Sequence, residues 1–214
     1  MLETIKYNIV NIDDNPTKAF VMIHGWRGNK DSFKSIPPLL KLSNVMWYFP
    51  EAPYDFEGRK NEKTWAIKKE GDVWNADESK RLLVDFFENV VFNKFDPKDV
   101  YIMGFSQGAA VCYEFILSLN YNFGGIFPIA GFMVNEPKSI DEINTVYKNI
   151  PILIGHGNDD DIIPLAASQK AYDFLSAVCE NIELYIYNGK HKIGLEYLKK
   201  VKTIVESSKW SMMW

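Results

Sequence analysis

Ser106 lies in Gly104-Phe105-Ser106-Gln107-Gly108, between an apolar run at residues 100–103 and an Ala-rich apolar stretch at 109–119. The first run is short enough for a buried strand, and the second is long and periodic enough for a helix. Glycines on both sides of the serine let the backbone reverse sharply there and leave the hydroxyl exposed at the top of a sheet. A serine hydroxyl is a poor nucleophile near neutral pH and needs a base within hydrogen-bond reach, itself oriented by a third group. The chain holds three histidines, His24, His156 and His191. His24 and His156 each precede a glycine at the end of an expected strand, a place where a ring orders a loop rather than takes a proton. His191 falls between the last expected strand and the last expected helix, and is the candidate base. The chemistry these types could do together is acyl transfer through a covalent serine intermediate.

The orienting acid is less sharply marked, because Asp159, Asp160 and Asp161 are consecutive. A solvated acidic run or a cation site are the alternatives, but metal ligation needs more oxygen donors in ordered spacing than the triplet offers. Asp160 is preferred: its loop follows a strand ending near Ile154 and precedes the helix start at Ile162-Ile163-Pro164, at the carboxyl end of the sheet, where Ser106 also lies. A tetrahedral oxyanion requires two amide donors. Gln107 supplies one at the positive end of its helix. Trp26, in the loop His24-Gly25-Trp26-Arg27-Gly28, is the best-placed second donor. No cofactor and no metal are needed for such a reaction.

These groups must be held by strands and helices, and the sequence outlines them. Residues 5–12 alternate loosely and suit an edge strand or hairpin arm. Residues 19–23 and 44–49 are apolar runs of strand length, and a helix capped by Asp31 or Ser32 is expected through Leu40. Residues 54–75 form a long polar stretch punctuated by Phe56, Trp65 and Trp74, expected as a loop. Residues 77–92 carry Leu82, Leu83, Phe86, Phe87 and Val90 at helical spacing. Strands are expected at 124–129, 151–154 and 182–187, and helices from Pro164 to about 178 and at 195–205. Residues 131–149 read as a loop with a short helix. Strands separated by helical stretches imply a mostly parallel sheet covered on both faces, an α/β fold.

Composition narrows the class. At 214 residues the chain fits one domain, residues 1–214. Its 47% apolar content argues for a packed core, and its net charge of −4 gives no case for nucleic acid. Cys112 and Cys179 read as buried apolar fillers rather than a disulfide framework. MLETIKYNIV has no basic segment followed by an apolar one, so no secretory signal is expected, and no apolar run is long enough to span a bilayer. A cytoplasmic location is the expectation, without integral membrane association. The apolar tail Lys209-Trp210-Ser211-Met212-Met213-Trp214 is expected to pack on its own domain, with a dimer patch or contact with lipid as alternatives; a monomer and a homodimer both remain open.

Four blocks resemble the phospholipase/carboxylesterase branch of the α/β-hydrolases, the group that includes acyl-protein thioesterases. They are Gly104-Phe105-Ser106-Gln107-Gly108, Phe49-Pro50-Glu51-Ala52-Pro53 with Trp65 downstream, His156-Gly157-Asn158-Asp159-Asp160-Asp161-Ile162-Ile163-Pro164, and His24-Gly25. The resemblance implies an α/β-hydrolase fold and a triad of Ser106, Asp160 and His191. It also implies oxyanion amides at Trp26 and Gln107. The expected substrate is a small ester or thioester, with an acylated protein or a lysophospholipid as the long-chain alternative. A non-catalytic module that keeps the pocket is a third reading, which the intact Ser106, His191 and Asp160 disfavour. Arg27 stands where the family usually has glycine, and Trp26 where a smaller aliphatic residue is usual, so substrate size and shape are where departure is expected. Trp65, Phe105, Phe132 and Met133 are the expected walls of the acyl site, with Phe56 beside them. Anchoring of the long loop is the alternative for Trp65 and the favoured role for Trp74.

Overall fold

The computed structural model describes residues 4–69, 74–134 and 148–207. In chain order the elements are β1 (Tyr7–Asn11), β2 (Lys18–Ile23), α1 (Ile36–Leu40), β3 (Val45–Pro50), β4 (Tyr54–Phe56), β5 (Arg59–Thr64), β6 (Ile67–Lys68), β7 (Trp74–Asn75) and α2 (Asp77–Phe86). They continue with β8 (Val100–Phe105), α3 (Gln107–Glu114), β9 (Gly125–Ile129), β10 (Ile152–Gly157), α4 (Leu165–Leu175), β11 (Ile182–Tyr187) and α5 (Leu195–Glu206). Among the described residues, seven strands form the main sheet in the order β1-β3-β2-β8-β9-β10-β11. Only β1 runs antiparallel, on the edge beside β3. The other pairings are parallel.

The pleat sorts the apolar runs into two layers. Ala19, Val21 and Ile23 of β2 enter a core with Leu82, Leu83 and Phe86 of α2 and with Ala109 and Cys112 of α3. Phe20 and Met22 enter the opposite core with Ile36 and Leu40 of α1 and with Tyr197 and Val201 of α5. Strands covered on both faces need no polar alternation, which is why they read as continuous apolar runs. Cys112 and Cys179 are both buried and unpaired, as apolar fillers should be.

Four expectations are corrected. The helix expected from Asp31 or Ser32 is a helix only over Ile36–Leu40, with turns before it. Pro37 and Pro38 are tolerated only in a first turn, so a helix containing them cannot begin five residues earlier. The helix expected across 77–92 is α-helical to Phe86 and then widens into a π turn over Phe87–Val91. The helix after Ser106 stops at Glu114 and gives way to a tighter turn over Ile116–Ser118. The stretch expected as a polar loop instead holds two antiparallel strand pairs, the β4–β5 hairpin and β6 with β7. The tail at 209–214, and most of the segment 131–149, lie outside the described residues.

Candidate active site

Ser106 sits at the carboxyl end of β8 with φ +56° and ψ −116°, a backbone conformation that L-residues rarely adopt. Its surroundings leave no other course. A Cβ on Gly104 would lie 2.2 Å from the Gly108 carbonyl oxygen, and one on Gly108 would lie 2.1 Å from that of Ile23. Both glycines are therefore dictated by the close approach of α3 to β8 and β2. The Ser106 amide donates to the Ile129 carbonyl at 2.8 Å, tying the turn to the end of β9.

His191 reaches this turn from the loop after β11. Its Nε2 lies 3.1 Å from Ser106 Oγ, and its Nδ1 lies 2.7 Å from Asp160 Oδ2. A carboxylate only accepts, so Nδ1 carries the proton and Nε2 is left to accept from the serine hydroxyl. The His191 ring is also packed 4.8 Å from that of Phe105. Of the three consecutive aspartates, Asp160 is the one that meets the imidazole. Asp159 is exposed, and Asp161 is exposed and paired with Lys190 at 3.3 Å. Asp160 Oδ1 accepts from the amides of Ile162 and Ile163, both at 2.9 Å. Burial by itself would raise this carboxyl, and it is the largest single influence. The His191 hydrogen bond and the Ile163 and Ile162 amides together outweigh it and hold the group below its ordinary range.

The acid loop and the histidine loop are laced to each other. The Asn158 amide donates to the Tyr187 carbonyl, the Asp159 amide donates to the Gly189 carbonyl, and the Gly189 amide donates to Asn158 Oδ1. A Cβ on Gly157 would meet the Gly189 carbonyl at 2.2 Å, so glycine is required where the two loops cross.

Neither of the other histidines touches the serine. His24 is buried; its Nδ1–H donates to the Gly25 carbonyl at 2.8 Å, and its Nε2 accepts from the Ala52 amide at 3.0 Å. His156 is also fully buried. Its Nε2–H donates to the Ile163 carbonyl at 2.9 Å and comes within 3.4 Å of Asp160 Oδ2, while Nδ1 is 2.7 Å from Ser168 Oγ. Both rings order loops, as expected: the first loop packs on Ser106 through Gly25, and the second carries Asp160 to His191.

Trp26 follows Gly25, whose Cα lies against the Ser106 turn; a Cβ there would be 3.2 Å from that of Ser106. Gln107 opens α3, where an amide has no acceptor within the helix. Its side chain meets Thr64 Oγ1 at 2.9 Å and accepts from the Trp65 amide at 3.1 Å. Trp65, expected as a wall of the acyl site, is instead 1% exposed; its indole N–H donates to the His24 carbonyl at 2.8 Å. Ring size and this buried donor make it an anchor beneath the loop. Phe105 is half-buried beside the imidazole. Phe132 and Met133 are half-buried, directly after Gly131, where a Cβ would lie 3.2 Å from the Ser106 carbonyl. Trp74 is 51% exposed, so it does not anchor its loop to the core.

Sequence reasoning missed what the β4–β5 hairpin does beside this site. RKNEKT is polar on both faces and shows no strand period, and the turn at Glu57-Gly58 lacks the usual Asn-Gly or Asp-Gly signature. The Gly58 alone was a usable signal. Among the described residues no three His, Cys, Asp or Glu side chains cluster as a metal ion would require. No helix there is long and apolar enough to cross a membrane.

The family model described as Phospholipase/Carboxylesterase matches residues 5–209. Acyl-protein thioesterase 1 of Kluyveromyces lactis is 28% identical over 157 residues, which is 72% of this chain but 61% of that protein's length. Carboxylesterase SOBER1 of Arabidopsis thaliana is 25% identical over 178 residues, 78% of each chain. Among solved structures, that of esterase PE8 superposes with a TM-score of 0.83 at 20% identity, covering 95% of this chain and 98% of the other. The fold is that of the α/β-hydrolases.

Proposed function

From the premise that this chain belongs to the phospholipase/carboxylesterase family, we propose that it is a serine hydrolase cleaving carboxylic esters through an acyl-enzyme. The observation that carries this reading is the continuous chain Ser106 Oγ, His191, Asp160, with steps of 3.1 and 2.7 Å, at the carboxyl end of the sheet. Ser106 Oγ attacks the ester carbonyl carbon while His191 Nε2 takes its proton. Asp160 holds the imidazole in the tautomer that can accept at Nε2, and stabilises the imidazolium that forms. The amides of Trp26 and Gln107 donate to the oxyanion. Collapse of the tetrahedral species breaks the bond to the alcohol, which leaves with the proton from His191. Water, deprotonated by the same nitrogen, then attacks the acyl-enzyme and releases the acid and Ser106. The amides serve as fixed donors, so the chemistry asks for no cofactor. We take residues 1–214 as one domain acting in the cytoplasm on a small ester.

A second reading, removal of long acyl groups from thioesters on proteins or from lysophospholipids, draws on the thioesterase relative. Trp26 adds to it: 55% exposed beside the nucleophile turn and in edge contact with Phe56, it offers an apolar shelf outside the serine. Hydrolysis of p-nitrophenyl esters from acetate to laurate, with Ser106→Ala in parallel, tests both. Wild-type turnover should fall by at least about 10⁴-fold in the variant, and Asp160→Asn should cost about 10⁴-fold in kcat. An optimum at short chains supports the esterase, and one at laurate supports the second reading. Turnover that survives in S106A would remove the serine mechanism altogether.

A further inference from the structure

Arg27 has φ +63°, in the left-handed region that a glycine occupies freely and an arginine does not. Such a conformation persists only where the surroundings over-determine it, and here the surroundings are the β4–β5 hairpin. The Arg27 amide donates to the Lys63 carbonyl and the Lys63 amide donates to the Gly28 carbonyl, both at 2.9 Å, so the loop is paired to β5 as a short strand would be. Arg27 Nε donates to Glu62 Oε2 at 2.5 Å, and Arg59 Nη1 holds Glu62 Oε1 at 3.3 Å. Asn29 Nδ2 donates to the Asn61 carbonyl at 2.7 Å. The Phe56 ring meets Trp26 edge-to-face at 4.9 Å and the Arg27 guanidinium at 5.4 Å.

The two peptide groups flanking Trp26 are therefore both fixed. The Gly25 carbonyl is held by His24 Nδ1–H and, at 3.0 Å, by the Gly28 amide. In a trans peptide the N–H points opposite the carbonyl, so these bonds aim the Trp26 amide away from His24. The next peptide is held by its Arg27 N–H on Lys63. At its far end the same hairpin reaches Gln107, whose side-chain amide meets Thr64 and accepts from the Trp65 N–H. One hairpin thus touches both residues whose amides the reading above assigns to the oxyanion.

We propose that the β4–β5 hairpin is a strap that sets the position of the oxyanion loop against α3, with Arg27 and Glu62 as its latch and Phe56 as its wedge. This rests on the serine-hydrolase reading, and all three are positioning residues that act through the Trp26 amide. The latch pair is part-exposed, with side-chain accessibilities of 50% for Arg27 and 28% for Glu62, so salt screens it.

Three measurements on Glu62→Gln and on the charge-reversed pair R27E/E62R decide the matter. First, E62Q should lower kcat by about tenfold with KM within about twofold, because a transition-state donor is displaced while substrate binding is not. Its affinity for a trifluoromethyl ketone inhibitor should fall by the same factor, and R27E/E62R should recover most of the loss. Secondly, raising salt from about 0.05 to 1 M should lower wild-type kcat several-fold and leave E62Q flat. Thirdly, amide exchange at residues 24–29 should quicken in E62Q with the melting temperature unchanged. Active wild type with E62Q at full kcat and equal salt response overturns the strap and leaves the serine reading intact. A wild type that turns over no ester removes the serine reading, and the exchange measurement then decides the strap alone: unchanged protection at 24–29 overturns it.

Discussion

At the scale of single residues, the site depends on groups that never react. His156 illustrates this. A carbonyl cannot donate, so the bond to Ile163 fixes the proton on Nε2, and Nδ1 must accept from the Ser168 hydroxyl. The ring then stands behind Asp160 with its orientation set from both sides. Ser168→Ala leaves a fully buried Nδ1 without its donor, which should cost about 1–3 kcal/mol of stability in urea unfolding. A smaller loss would mean that the ring can turn to another partner. The glycines give a sharper contrast. Gly108→Ala places a Cβ against backbone at 2.1 Å, which no rotamer can relieve, so the protein should fail to accumulate or should melt far below wild type. Gly58→Ala meets open space at φ +74° and should cost only about 1 kcal/mol. Similar losses for the two would contradict the close approach of α3 to β2.

At the scale of elements, what the sequence made legible follows burial. β2, β3 and β8 are covered on both faces, so each reads as an apolar run of strand length, and Gly104 to Gly108 marks where β8 must turn. That was enough to bring Ser106, His191 and the acid loop to one edge. Choosing Asp160 over Asp159 and Asp161 needed the block resemblance, because three identical side chains in a row carry no pattern of their own. The β4–β5 hairpin was illegible for the opposite reason. Its residues are mostly exposed, so no face is apolar, and its order comes from backbone pairing and from Glu62, Asn61 and Phe56 reaching across to residues 26–29. Trp65 was ambiguous because a tryptophan suits an acyl wall and a buried anchor equally, and its full burial and the bond to the His24 carbonyl separate the two. The strap also predicts the outcome of Arg27→Gly. Glycine relieves the left-handed strain but abandons Glu62 and Phe56, so stability should hold within about 1 kcal/mol while kcat falls as it does in E62Q. A variant that loses stability and keeps its kcat would show the arginine to be a fastener of the fold and not of the oxyanion loop.

At the scale of the whole molecule, the loops at the carboxyl end of the sheet tie the site to acid stability through His24. Burial is the main cause that lowers its pKa, from 6.5 to about 4; the bond to Gly25 and the charge of Glu51 pull it back up, and Lys63 on the strap pushes it down again. The hydrogen bonding points the same way, because Nε2 accepts from the Ala52 amide and a proton there would set donor against donor. The unfolded chain takes up this proton near pH 6.5 and the folded chain only near pH 4. Between those values the unfolded state binds more protons, so stability rises with pH and is lost on acidification. From pH 7 to about 4.5 this one group should remove roughly 2–3 kcal/mol. Asp160 acts lower and in the same direction: its depressed carboxyl stabilises the fold above its ordinary value of 3.8, and that contribution disappears only as pH falls through the still lower folded value. The two windows barely overlap, so His24 can be isolated by urea unfolding of wild type and His24→Asn across pH 7 to about 4.5. Asparagine keeps a donor for the Gly25 carbonyl and does not titrate. The variant should be less stable at neutral pH, yet the gap should close by about 2 kcal/mol or more on acidification. Parallel curves would mean that His24 is protonated in the folded protein at mildly acid pH. The Ala52 bond would then have to be abandoned, while Nδ1–H could still hold the Gly25 carbonyl.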